Sequence, residues 1–198
     1  MMRKIGGWSA ARRMLANAPA RFRRAMDQAV LQEAHLHRKE IVEGLTTGSP
    51  GGKELAPLAP STLATRRARG IRGTKSLIAR GDLRRAISVV RTPRGVFVGI
   101  LRTARGRDGQ QLVNVAKVHE LGKVVVFRMT EKSRRYVAMM MRKAGVPPTG
   151  QGNTGGIVVV KIPARPFFRP VFEKLSKGAP ERVLKRVVRL LAGTQGGA

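Results

Sequence analysis

The chain has no cysteine, which excludes disulfides, thiol nucleophiles and cysteine-ligated zinc. With one Trp, one Tyr and six Phe in 198 residues, its core must rest on Val, Leu, Ile, Met and Ala. Acidic residues are also scarce: eleven Asp and Glu face forty Lys and Arg, a formal net charge of +29. An ordinary small domain carries a net charge magnitude of roughly 2–8. A chain this basic repels itself and calls for anionic partners, either nucleic acid or an acidic protein surface. No apolar run approaches the roughly 20 residues of a membrane span. The stretch Met1 to Leu15 lacks the apolar centre of about 7–15 residues that a secretory signal carries. Residues 1–19 read instead as a basic arm that orders on assembly.

Hydrophobic residues make up 42 %, enough for a real core, and the length suits one domain with extensions. Phe22, Met26, Val30, Ala34, Ile41 and Leu45 recur at helical spacing and predict a long helix over 20–45, stopped by Gly44 to Gly48. Ser61 is the expected cap of a short basic helix over 62–69. Asp82 opens another helical turn. Residues 87–91 and 96–101 flank Thr92-Pro93-Arg94-Gly95 and predict a hairpin, with Val96, Val98 and Ile100 on one face. Residues 113–121 read as a helix in preference to a strand, and 124–129 as a strand. A helix over 130–144 is capped by Thr130 with Ser133. Residues 157–162 are a β-branched strand. Helices follow over 167–176 and 180–192, the second with Val183, Leu184, Val187, Val188 and Leu191 inward. The pattern predicts an α+β domain over 20–192, a small, mostly antiparallel sheet packed by the long N-terminal helix and the C-terminal helices, with 193–198 as a flexible tail.

Two segments stand out. In Ile162-Pro163-Ala164-Arg165-Pro166-Phe167-Phe168-Arg169-Pro170 the prolines stiffen the backbone and the phenylalanines anchor it. His119-Glu120-Leu121-Gly122 is the second. His119 and Glu120 could form an acid/base pair, but no nucleophile or orienting partner accompanies them. They read better as hydrogen-bonding backbone beside a turn that Gly122 permits. Arg165 could contact DNA, but reads better as a planar clamp on carbonyls or a carboxylate, within the subunit or across a subunit boundary. His37, Glu33 and Glu40 share a helix face; a metal triad is the sharp reading, a surface ion pair the plainer one. Met139-Met140-Met141 is adaptable apolar surface, core or interface.

The order Pro57-Leu58-Ala59-Pro60-Ser61-Thr62, Leu77 to Leu83, Val96-Phe97-Val98-Gly99, Val118-His119-Glu120-Leu121-Gly122 and Ile162 to Phe168 resembles the virion-morphogenesis family of tailed phages, the tail-completion or neck proteins of Mu-like phages. The likeness spans about 55–171, and its last motif is the most specific. The long stretch 123–156 departs from the family pattern and reads as an insertion. The resemblance implies a structural protein with no catalysis, metal or cofactor, and a structural motif of His119, Glu120, Gly122, Pro163, Arg165, Pro166, Phe167 and Phe168. It implies a hexameric or dodecameric ring in the virion neck, assembled in the host cytoplasm. Its partners would be head-tail connector, portal-side or tail-tube proteins, and genome DNA passing through the channel.

The basic patches are Arg66-Arg67-Ala68-Arg69-Gly70-Ile71-Arg72, the loop holding Arg102, Arg105 and Arg107, Lys132 to Arg135, and Arg182 to Arg189. The first two are the expected faces toward DNA or a partner. None is interleaved with aromatics for base stacking, and no helix-turn-helix or zinc finger is evident. The alternative function is a basic, sequence-independent nucleic-acid-binding or packaging protein.

Overall fold

A computed structural model describes residues 8–93, 95–143, 145 and 156–193, with side chains from residue 16. The first helix, α1 (Trp8–Thr47), is 40 residues long. It begins well before the expected residue 20, so 8–19 of the expected basic arm are helical; 1–7 lie outside the described residues. Pro19 falls inside it and costs one backbone donor. The buried row is Ala25, Ala29, Glu33, His37, Ile41 and Leu45, a repeat of four that keeps one face inward. Phe22, expected in that stripe, is 49 % exposed. Small Ala25 and Ala29 let the last helix approach closely, and a phenylalanine on that row would hold it away.

The α1 terminus is fixed locally. Thr46 Oγ1 donates to the Val42 carbonyl at 2.7 Å, and the Gly48 N–H to the Gly44 carbonyl at 2.9 Å. A 3-10 turn, Pro50–Gly52, then folds back so tightly that a Cβ on Gly44 would sit 2.4 Å from Pro50 Cα. An extended segment leads to α2 (Pro60–Ala68). Ser61 does not cap it: Pro60 occupies the first turn, its fixed φ suits that position, and Ala59 precedes with no side-chain cap.

α3 (Asp82–Arg85) leads into the expected hairpin, β1 (Ile87–Thr92) and β2 (Gly95–Ile100), paired Ile87 with Ile100 and Val89 with Val98. α4 (Leu112–Leu121) is the expected helix. β3 (Lys123–Arg128) pairs along its length with β4 (Ile157–Ile162), so the start of the expected insertion is tied to the strand that follows it. Between them lies α5 (Glu131–Lys143), where the Ser133 N–H donates to Thr130 Oγ1 at 3.2 Å, as the expected cap requires. α6 (Arg169–Ser176) and α7 (Ala179–Gly193) close the described chain. The flexible tail expected over 193–198 lies almost wholly outside the described residues.

The α+β class holds, with a difference in the sheet. Two separate antiparallel ribbons, β1–β2 and β3–β4, replace the expected single sheet. Only β1–β2 reaches the core, where Ile87 and Ile100 join Ile41, Leu45, Leu83, Leu112, Phe167, Val171 and Leu175. β3–β4 stands away from it, with Val126, Ile157 and Val159 mostly exposed. A smaller cluster joins Val187 to Ala25 and Ala29, flanked by Val183 and Leu191. Leu184 and Val188, expected inward, are 62 % and 59 % exposed, because α7 meets α1 through one row only.

Candidate functional site

The two motif segments, far apart in sequence, meet at one junction. α4 ends at Gly122, whose φ of +75° is strained for other residues. A Cβ there would come within 3.0 Å of the Ala164 nitrogen and 3.1 Å of the Ile162 oxygen. The strand end and the Pro-rich segment therefore lie directly against the α4 terminus. The Arg165 N–H donates to the His119 carbonyl at 2.6 Å. Glu120 reaches across: its Oε2 accepts the N–H of Phe167 at 2.9 Å and of Phe168 at 3.2 Å, and its Oε1 that of Arg169 at 2.8 Å. A carboxylate 47 positions earlier thus satisfies the donors at the start of α6, where the helix dipole also favours negative charge. Phe167, fully buried, and Phe168 pack beside it with ring centroids 4.5 Å apart. The expected helix over 167–176 starts at Arg169, because Phe167 and Phe168 serve as the anchor before it.

Arg165 is 5 % exposed and acts within the subunit. Its Nε donates to the Ala56 carbonyl at 2.7 Å and its Nη2 to the Pro57 carbonyl at 2.6 Å. The clamp expected from the sequence exists, and it holds the extended segment before α2.

Arg165 also borders a cleft of about 770 Å³ between α2, the 106–110 loop, α4 and β4. The two basic patches expected to face a partner converge here, the first through Arg66 and Arg69 at the end of α2 and the second through Arg107. Arg67, Arg72, Arg102 and Arg105 do not line it; all four are exposed. Arg80 and Lys161, not anticipated from the sequence, complete six basic side chains against two aspartates. Asp82 is already engaged, 2.5 Å from Arg85 and 3.7 Å from Arg107. Arg66 turns inward, its Nη1 donating to the Gly73 and Lys75 carbonyls at 2.8 Å each. Burial, and then the charge of Arg165, lower the pKa of Arg66; burial likewise lowers that of Arg165. The same two causes in the same order lower that of His119, favouring neutral imidazole. Of the pair expected to bond backbone, Glu120 alone is seen to do so through its side chain: His119 Nδ1 is buried and, among the described residues, has no hydrogen-bond partner.

Glu33 resolves differently from the metal reading. It is buried on α1 and bonded by Arg182, whose Nε lies 3.1 Å away, and by Arg186. Part of the basic patch 182–189 is therefore internal. Burial alone would raise the Glu33 pKa, but the hydrogen bonds and charges of the two arginines outweigh it and the net shift is downward. His37 Nδ1 lies 2.9 Å from the Glu33 carbonyl oxygen, and its ring rests 5.1 Å from that of Phe172. Among the described residues no group of His, Cys, Asp and Glu is arranged to hold a metal ion. Met140 is buried, whereas Met139 is 44 % exposed, so that run is part core and part surface. No helix among the described residues is long and apolar enough to cross a membrane.

No protein-family model matches the chain, and neither curated proteins nor solved structures give a significant match.

Proposed function

We propose that this chain is a structural, non-enzymatic subunit of a phage neck: a connector or tail-completion ring around the DNA channel, needed for head–tail joining. The observation that carries this reading is the junction of the two motifs. Glu120 and Phe167, 47 positions apart, belong to the segments that most resemble the family, and they interlock. Glu120, Arg165 and the His119 carbonyl are spent on backbone groups, fixing the angle of α6. Residues committed to orientation suit a protein that works by assembly.

The charge and the surface support the same reading. A ring of six copies would carry roughly +170, a self-repulsion that acidic neighbours or passing DNA must offset. Ring formation alone is then weak at low salt. Exposed Leu184 and Val188 on α7, and Val126 and Ile157 on the outer ribbon, offer apolar contact to further copies or to adjoining connector, portal-side or tail-tube proteins.

Electron microscopy of purified virions, with mass photometry of the protein alone and with isolated tails, tests this. The expected result is a ring between portal and tail tube and a defined oligomer on the tail template. Absence from mature particles, or protein bound along DNA in the host cell with steep salt dependence, would replace this reading with that of a nucleic-acid-binding protein.

A further inference from the structure

The basic cleft has one wall of unusual kind. Val159, Val160, Lys161 and Ile162, consecutive residues of β4, line it, and no residue of β3 does. β4 pairs with β3 on one side in a ribbon of only two strands, so its other edge borders the cleft. Val159 is 59 % exposed and Val160 41 %, and no proline lies within the strand to block pairing. A strand edge that pairs with no second strand among the described residues, and of which four residues border the cleft, is a template for an added strand. Arg66, Arg69 and Arg107 line the same cleft. Arg66 and Arg165 bond backbone carbonyls, and neither forms a salt bridge among the described residues.

We infer that the cleft is a docking site for an extended acidic segment of a partner protein, which adds as a strand to the free edge of β4. Its backbone pairs with β4, and its carboxylates meet the arginine wall. Charge complementarity selects the sign of the partner, and strand pairing selects an extended peptide over a folded surface. Nucleic acid fits less well. Among the described residues no Phe, Tyr or Trp lines the cleft for base stacking, Tyr136 touching only its margin through Arg69, and a phosphodiester chain cannot continue a β-ladder. This inference stands on the cleft itself, so the peptide experiment and the virion experiment can fail separately.

The probe is a fluorescein-labelled peptide alternating Glu with Val and Thr, read by anisotropy on the full chain. Three comparisons are made: the same peptide N-methylated at alternate residues, a single-stranded oligothymidine as competitor, and the variants Lys161→Glu, Arg80→Glu and the remote Arg189→Glu. Thermal melting checks that each variant is folded. We expect saturable binding of the peptide, weakened at least about tenfold by N-methylation and by Lys161→Glu or Arg80→Glu, and little changed by Arg189→Glu. Equal binding of the N-methylated peptide would overturn the proposal, since charge alone would then suffice. So would no peptide binding, an equal loss with Arg189→Glu, or oligothymidine binding that displaces the peptide and depends on the same two residues.

Discussion

The Glu120 carboxylate accepts the backbone N–H of Phe167 at 2.9 Å, and through its two oxygens those of Phe168 and Arg169 as well. One side chain thereby couples the end of α4 to the start of α6 and seats Phe167 in the core. Hydrogen bonds to a charged group contribute about 1.5–3 kcal/mol, and donors left unpaired cost more. Glu120→Ala should therefore destabilise the fold by about 2–4 kcal/mol by denaturant unfolding. Glu120→Gln, which keeps one carbonyl acceptor, should cost less. Equal stability of Glu120→Ala and the parent chain would show that α6 does not depend on this carboxylate.

Arg165 spans from the Pro-rich segment to Ala56 and Pro57 with two differently directed N–H groups. A lysine cannot reproduce that planar fork. Arg165→Lys should lose about 1–3 kcal/mol and speed hydrogen exchange around 55–59, although the charge is kept. Parent-like exchange there would mean the clamp is redundant.

Much of this junction was legible in the sequence, because proline, glycine and paired phenylalanines restrict the backbone whatever surrounds them. Gly122 required a turn, and Arg165 between prolines required a fixed target. The carbonyls of 56 and 57 could not be named, since they lie over a hundred positions away in sequence. The β1–β2 hairpin was legible from its alternation and turn. That β3–β4 forms a second ribbon was not, because β-branched runs reveal pairing but not which sheet they join. Arg182 and Arg186 stand in the sequence only as part of a basic patch, because their partner, Glu33, is supplied by another helix. Phe22 misled because its helical spacing was right, but α7 packs on the adjacent row of alanines.

Glu33 sets an acid limit. Its pKa is lowered in the folded chain, so its contribution is fully present above the ordinary carboxylate value of 4.5 and is lost as pH falls through the folded value. Removing one member of a buried ion pair costs about 3–5 kcal/mol; the partly solvated arginines bring the expected loss for Glu33→Ala to about 2–3 kcal/mol at neutral pH. As pH falls from 4.5 through the lowered folded value the variant and the parent should converge. A constant difference down to low pH would assign the effect to packing.

His119 acts at higher pH with the same sign. Burial, and then Arg165, lower its pKa below the ordinary 6.5. Between the folded value and 6.5 the unfolded chain binds more protons, so stability falls as pH drops through that range. His119→Leu, which removes a ring nitrogen without a partner among the described residues, should flatten the slope of unfolding free energy as pH falls below the ordinary value of 6.5. An unchanged slope would assign it to other groups.

The last prediction separates folding from assembly. Arg66 belongs to the fold, since it holds the 73–75 segment, whereas Arg67, Arg72, Arg102 and Arg105 of the same two patches are exposed, Arg105 bonding only the Gly109 carbonyl of its own loop. Surface substitutions away from caps, cores and networks usually change stability by no more than about 0.5 kcal/mol. Arg67→Glu with Arg72→Glu, and separately Arg102→Glu with Arg105→Glu, should therefore leave the melting temperature nearly unchanged. If either loop faces the channel or an acidic neighbouring ring, charge reversal there turns attraction into repulsion, and head–tail joining should fail with folded protein present. Arg66→Glu should behave oppositely, lowering stability first. Infectious particles at normal yield from both double variants would remove these four arginines from the assembly surface.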